Sequence, residues 1–241
     1  MKIIQCFLTY VPVRHEPSHK SEQISQLIYG ETAEIIEENK EWFRIKTTFD
    51  NYEGWLEKKT VHFQTNKTNA IILKTFARLI EKNNDSRWLS VGSEIDLDRT
   101  EAAGASVFMP ETGLDDNKIS DIAIQFLGSP YLWGGRTFMG IDCSGFVQVV
   151  YKSRGISLPR DASQQVNTGI EVPFIEMAKE GDLAFFENEE GNISHVGILL
   201  PENKIIHASG QVRIDKIDHQ GIVNADTGNY THKLRIIKTI I

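Results

Sequence analysis

The chain has 241 residues, 40% hydrophobic and 24% charged, with a net charge of −7, a balance that fits a globular protein with a core domain of about 120 to 130 residues and one or two small modules. No lysine- or arginine-rich stripe stands out against the acidic excess, which excludes a phosphate-neutralising nucleic-acid binder. No run approaches the ~18 apolar residues of a membrane span, and Lys2–Val13 lacks the apolar region and cleavage site of an export signal, so a cytoplasmic protein with no membrane partner is expected.

Only two cysteines occur, Cys6 and Cys143. They are far apart in sequence, which indicates no disulfide framework and fits a reducing compartment. The seven histidines form no CxxC or HExxH pattern, so neither a metal nor a cofactor is expected.

Residues 1–60 read as all-β. Short runs such as Ser25–Tyr29, Ala33–Ile36, Trp42–Lys46 and Gly54–Leu56 are separated by turn formers at Gly30-Glu31, Glu38-Asn39-Lys40 and Asp50-Asn51, the pattern of a small barrel. Trp42 and Trp55 are expected to pack rather than to contact a ligand. Residues 61–114 are read as a second degenerate β module or a structured connector, with a helical pattern over Ala70–Ile80 and strand-like pieces at Trp88–Val91 and Ala105–Met109.

Residues 115–241 read as α then β, an α+β domain. Ser120 or Asn117 can cap a first helix running to Leu127, which Gly128 and Pro130 stop. Gly140-Ile141-Asp142-Cys143-Ser144-Gly145-Phe146 is a sharp turn entering an amphipathic helix, with Phe146, Val147 and Val150 on the face of Cys143 and Gly155 as the left-handed stop. A thiol at a helix start meets unpaired N–H groups and the positive end of the dipole, which favour thiolate, so Cys143 is the candidate nucleophile.

Strands are expected at Asp182–Phe186, Ser194–Leu200, Ile205–Ser209 and Lys233–Ile240. The three-residue loop Pro201-Glu202-Asn203, read as a type I turn with Asn203 left-handed, pairs Leu200 with Lys204 and Gly197 with His207. His195 and His207 then share a face as diagonal neighbours, whereas a loop one residue shorter or longer would put them on opposite faces. A thiol needs a base and the base needs an orienting group, roles that Cys143, His195 and His207 can fill in that order.

Two resemblances follow from these residues. The order Val13-Arg14-x-Glu16-Pro17, Leu27-x-x-Gly30-Glu31, Trp42-Phe43-Arg44-Ile45 and Tyr52-x-Gly54-Trp55-Leu56 resembles a bacterial SH3-type domain. Tyr131-Leu132-Trp133-Gly134-Gly135, the Gly140–Val147 stretch, Leu158-Pro159-Arg160-Asp161, Gln164, Gly181–Phe186, His195–Ile198 and His207-Ala208 closely resemble the NlpC/P60 family of papain-like cell-wall peptidases. Together they point to the subgroup that acts on freed murein peptides as γ-D-glutamyl-L-diamino acid endopeptidases, the dipeptidyl-peptidase VI type.

The resemblance implies a papain-like domain, helices packed on an antiparallel sheet, over 115–241, preceded by an SH3-like barrel over 1–60 and, over 61–114, a second degenerate SH3-like module or a structured connector. Cys143 would attack the γ-linked D-Glu carbonyl, His195 would protonate the leaving amine, and His207 would orient His195. The Cys143 backbone N–H and the Tyr131 hydroxyl would support the oxyanion. Asp142, Ser144, Asp161 and Ser163 match the neighbourhood that holds the substrate's free L-Ala ammonium, with Tyr52 and Glu16 as walls of that subsite. Ala162 departs from the serine frequent at its position. The expected substrate is a murein tripeptide or tetrapeptide met in cell-wall recycling. The alternatives are a non-catalytic wall-peptide binder and an acyl or amide transferase on the same Cys-His pair.

Overall fold

Trp42–Thr47 alternates side chains about a strand, and its neighbours in sequence do the same, which is enough to build the first sheet. Strands β1 (Ile3–Gln5), β2 (Tyr10–Arg14), β3 (Gln23–Ile28), β4 (Thr32–Glu38), β5 (Trp42–Thr47) and β6 (Glu53–Glu57) join antiparallel in the order β1-β4-β5-β6-β2-β3. Their inner residues, among them Ile4, Val13, Leu27, Phe43, Ile45 and Leu56, form one core. Trp42 is buried and Trp55 half-buried, as packing residues should be. The computed structural model describes residues 2–63 and 68–240.

The next stretch corrects one expectation. Ala70–Ile80 is not a helix: it forms β7 (Ala70–Ile71) and β8 (Ala77–Ile80), joined by a turn in which Phe76 takes a left-handed φ of 60°. The reason lies in the pattern, since Ala77 and Leu79 are buried while Arg78 points out, a period of two that a short apolar run hides. β9 (Ser86–Leu89), β10 (Glu94–Ile95), α1 (Leu97–Ala102) and β11 (Ser106–Phe108) complete this module. β11, β8 and β9 form one sheet and β10 pairs with β7, around Ile72, Ala77, Leu79, Leu89 and Ile95.

The chain divides into two compact units, Met1–Gly113 with Leu132–Gly140, and Leu114–Tyr131 with Ile141–Ile241. Leu132–Gly140, expected within the C-terminal domain, thus belongs to the first unit. It contains β12 (Arg136–Thr137), while β13 (Gly140–Ile141) follows at the return to the second unit. Arg136 explains the placement. Its guanidinium meets Glu31 through two hydrogen bonds of 2.7 and 2.9 Å and also donates to the Gln26 carbonyl, and both charged side chains are 2% exposed. A buried charge of this kind is tolerable only while its partner stays in place.

The second unit holds α2 (Ile119–Ile124), α3 (Cys143–Lys152), α4 (Ala162–Gln165) and strands β14 (Ile170–Val172), β15 (Leu183–Glu187), β16 (Ile193–Leu200), β17 (Lys204–Ser209), β18 (Gln211–Ile217), β19 (Gly221–Val223) and β20 (Tyr230–Thr239). Its strand order is β14-β20-β15-β16-β17-β18-β19, and β19 pairs again with β20, so six strands close into a ring. The α+β expectation therefore holds only in part, because sheet dominates and the helices are few and short. α2 begins after Lys118 with no side-chain cap; Ser120 lies inside, its hydroxyl bonded to Glu180. α3 stops as expected before Gly155, at φ 75°.

Inside the ring, Ala184, Phe186, Leu199, Ile205, Ile217, Ile222 and Ile237 form the core. None of the helices among the described residues is long and apolar enough to cross a membrane. Replacing Glu31 by Gln strands the buried Arg136 charge and is expected to cost about 3–5 kcal/mol of stability, read from denaturant unfolding of the whole chain; an unchanged midpoint would show that the pair contributes nothing.

Candidate active site

Asp142 ends the turn before α3 in an extended conformation and accepts from the Gly145 N–H at 2.7 Å, an N-cap bond that fixes where the helix starts. Cys143 is therefore the first helical residue, and it is buried at 7% exposure. Its sulfur meets the backbone N–H groups of Val196 and Ser144, which sets it against β16 beside His195.

The strand register is the one the loop length predicts: Leu200 faces Lys204 and Gly197 faces His207. The turn differs in detail, since Glu202 as well as Asn203 is left-handed, at φ 61° and 54°, so the loop is not a type I turn at Pro201-Glu202. The alternation brings both imidazoles to one face, and His195 Nε2 lies 2.8 Å from His207 Nδ1. Gly197 makes room for this, because a Cβ there would stand 2.9 Å from the Cβ of His207.

The row continues into residues that sequence reading missed. His207 Nε2 lies 2.9 Å from Asp215 Oδ2 on β18. Asp215 is 2% exposed and also accepts from Arg213 Nε and Nη2 and from the Ala225 N–H. Gln211–Asp215 alternates polar and apolar residues, and a surface strand would turn Asp215 and Arg213 to water; here that polar face is the one that carries His207. From β20, His232 stacks on His195 with ring centroids 4.2 Å apart and planes at 27°. The ring nitrogens of His195, His207 and His232 come within 4.8 Å of one another. A metal ion lies in the plane of each imidazole it binds, and two nearly parallel stacked rings offer no common in-plane point, so this cluster does not suit one ion.

Arg160, quoted as part of a motif but given no role, is 2% exposed and clamps Asp142 with bonds of 3.0 and 2.5 Å, its Nη1 also reaching Ser144 Oγ at 3.0 Å. Gln165 Nε2 donates to the Ser144 and Pro159 carbonyls. Of the other expected residues, half-buried Tyr131 lies within the electrostatic reach of Cys143 and Asp142. Asp161 is half-buried at the start of α4 and Ser163 is exposed on it. Glu16 and Tyr52 stand on the first unit, Glu16 exposed with its N–H on Ser21 Oγ, Tyr52 half-buried with its N–H on Thr47 Oγ1.

Burial first, then the Asp142 carboxylate, pushes the Cys143 thiol up to about 12, against the Val196 and Ser144 N–H groups and Arg160, which pull it down. Burial, then His232 and His207, holds His195 well below the usual imidazole range. Both shifts favour the uncharged forms, a thiol and a neutral imidazole, and oppose the thiolate that the helix start favours. Burial opposes ionisation of Asp215, yet the bonds from His207, Arg213 and the Ala225 N–H outweigh it and leave the carboxyl far below its ordinary value. Burial and then His207 bring His232 down to about 4 from 6.5, with Asp215 pulling the other way.

Two outcomes follow. Gly197→Ala should push His207 aside and lower kcat by about 10²-fold with little change in KM, as steady-state kinetics on a peptide substrate would show. For acid stability, the unfolded chain binds more protons than the folded one where His232 is depressed, so stability falls as pH drops from 6.5 towards about 4. His232→Phe should reduce the slope of the Tm-versus-pH curve in that window, the depressed His195 supplying the part that remains, while Asp215 acts only below its unfolded value of 3.8.

Comparison with known proteins gives this geometry a family. Residues 128–230 match the NlpC/P60 family and residues 9–62 the bacterial SH3 domain. The chain is 32% identical over 216 residues to a gamma-D-glutamyl-L-lysine dipeptidyl-peptidase of Bacillus subtilis (strain 168), covering 76% of this chain and 71% of that protein. It is 26% identical over 245 residues to dipeptidyl-peptidase 6 of Lysinibacillus sphaericus, covering 85% and 88%. Its fold is like that of an NlpC/P60 family protein from Bacillus cereus ATCC 10987, with a TM-score of 0.79 at 18% identity over 98% of this chain and 99% of that one. The chain belongs to the NlpC/P60 family and is a cysteine peptidase with a bacterial SH3 domain.

Proposed function

We propose that the protein hydrolyses the bond between the γ-carboxyl of D-Glu and an L-diamino acid in short murein peptides that carry a free N-terminal L-Ala, in the recycling of cell-wall peptides. The observation that carries this reading is the 2.8 Å bond between His195 Nε2 and His207 Nδ1, which leaves the other ring nitrogen of His195 to serve the thiol set against Val196. The printed names of the Bacillus subtilis and Lysinibacillus sphaericus relatives support the choice of bond.

Cys143 Sγ attacks the γ-carbonyl carbon while its proton passes to His195 Nδ1. The carbonyl oxygen gains the negative charge, and the Cys143 backbone N–H and the Tyr131 hydroxyl stabilise it. Collapse breaks the C–N bond, and His195 gives its proton to the leaving amine of the diamino acid. Water, deprotonated by His195, then attacks the thioester carbonyl; the C–S bond breaks, His195 returns the proton to the Cys143 sulfur, and the dipeptide leaves with a free carboxyl group that ionises in water. Because thiol and imidazole both start neutral, proton transfer accompanies attack and no buried ion pair has to wait for substrate.

The peptide's ammonium is assigned to Asp142, Ser144, Asp161 and Ser163. Asp142 shares its carboxylate between this task, the helix cap and Arg160. Both cysteines are free thiols, which supports a reducing compartment and hence the cytoplasm.

Mass spectrometry of products from L-Ala-γ-D-Glu-diamino acid peptides tests the reading. The wild type should release L-Ala-γ-D-Glu and the diamino acid, an N-acetylated peptide should stay intact, and Cys143→Ala should lower the rate by at least about 10⁴-fold. Cleavage by Cys143→Ala would remove the nucleophile assignment, and equal cleavage of the blocked peptide would remove the ammonium subsite.

A further inference from the structure

We infer that Asp215, neutralised by Arg213, is a positioning residue that sets the tautomers of His207 and His195, so that the ring nitrogen offered to Cys143 carries a lone pair. The inference rests on the proposed pairing of Cys143 with His195. It starts from the four bonds that Asp215 accepts: His207 Nε2 at 2.9 Å and Arg213 Nε at 2.8 Å on Oδ2, Arg213 Nη2 at 2.9 Å and the Ala225 N–H at 2.7 Å on Oδ1.

An ionised carboxylate only accepts, so His207 Nε2 must carry a hydrogen. A neutral His207 then has a bare Nδ1, which can only accept. Its partner at 2.8 Å is His195 Nε2, so that nitrogen must carry a hydrogen, and the bare nitrogen of His195 is Nδ1. Each step follows from the donor and acceptor capacity of one group, and the chain ends on a lone pair free to take the thiol proton.

A neutral His207 is part of the proposal, and the two bonds from Arg213 to Asp215 favour it. A lone buried carboxylate would draw a proton onto its imidazole partner; here the guanidinium already cancels the charge through two bonds. His207 is 1% exposed and faces the rings of His195 and His232, where a further positive charge would be poorly solvated. Asp226, 2.8 Å from Arg213 Nη2, holds the guanidinium from its outer side.

The arrangement makes an unusual forecast for substitutions. In Asp215→Asn the carboxamide oxygen is claimed at the Oδ1 position by two obligate donors, Arg213 Nη2 and the Ala225 N–H, against one, Arg213 Nε, at the Oδ2 position, and the balance turns the NH₂ towards His207. His207 must then accept at Nε2 and donate at Nδ1, His195 must accept at Nε2, and its hydrogen moves to the nitrogen that should serve as base. In Asp215→Ala no group imposes a tautomer and both forms are populated. The nearly isosteric variant should therefore be the worse enzyme, the reverse of what a packing or ion-pair role would give.

The test is kcat for both variants on an L-Ala-γ-D-Glu-diamino acid peptide, together with ¹⁵N chemical shifts of labelled histidine in the whole chain near pH 7.5. Expected are a loss in kcat on the order of 10³ to 10⁴-fold for Asp215→Asn, as for a wrong-tautomer variant of a hydrolytic triad, a smaller loss for Asp215→Ala, and little change in KM for either. The spectra should show Nε2–H for both His195 and His207 in the wild type and Nδ1–H for both in Asp215→Asn. Unchanged tautomers in Asp215→Asn, a doubly protonated His207 in the wild type, or a greater loss for Ala than for Asn would each overturn the inference. The spectra read the tautomers without reference to catalysis, so failure of Cys143→Ala to abolish hydrolysis would strike the proposed function and leave them standing.

Discussion

The pairing of Gly197 with His207 is the constraint on which the site depends. Side chains alternate along a strand, so a shift of one residue between β16 and β17 would send His207 to the other side of the sheet and break the row at its centre. The remaining members come from strands on either side: β18 pairs with β17 and carries Asp215, and β20 lies beyond β15 from β16 and carries His232. Because β19 returns to pair with β20, these strands share one enclosed face.

A second regularity is that each buried acid beside the row has an arginine of its own. Asp142 has Arg160 and Asp215 has Arg213. The two pairs do different local work, one fixing the first turn of α3 and the other holding an imidazole, yet both remove net charge from a dry region. Burial of thiol and imidazole works in the same direction, towards their uncharged forms.

Much of this could be seen in the sequence. Cys143 at a helix start, His195 and His207 on adjacent strands, and their register all follow from periodicity and from a three-residue loop. The strands of the first sheet follow from alternation and turn residues. What stayed hidden had physical causes. Asp215 sits in a strand whose alternation is that of a surface, and only the closed ring turns its polar face inward. Arg160 and Arg136 are long charged side chains that composition assigns to water, and their burial depends on partners 18 and 105 residues away in sequence. Ala70–Ile80 was misread because an apolar run of that length does not declare its period. Burial and the neighbouring Asp142 work against the thiolate that the start of a ten-residue helix favours, and the extent of that burial is not written in the local sequence.

The path of the chain between the units limits how this architecture can be shared or rebuilt. It leaves the first unit after Gly113, comes back for Leu132–Gly140, and leaves again, so no single cut separates an N-terminal module from a C-terminal one. A gene fragment beginning near residue 114 would carry a nine-residue stretch whose Arg136 has lost Glu31, its only acidic partner described here. The chain therefore passes between the two units three times. A recombination event that kept the hydrolytic unit would have to bring the first sheet with it, or remake that return excursion with a partner for the stranded guanidinium.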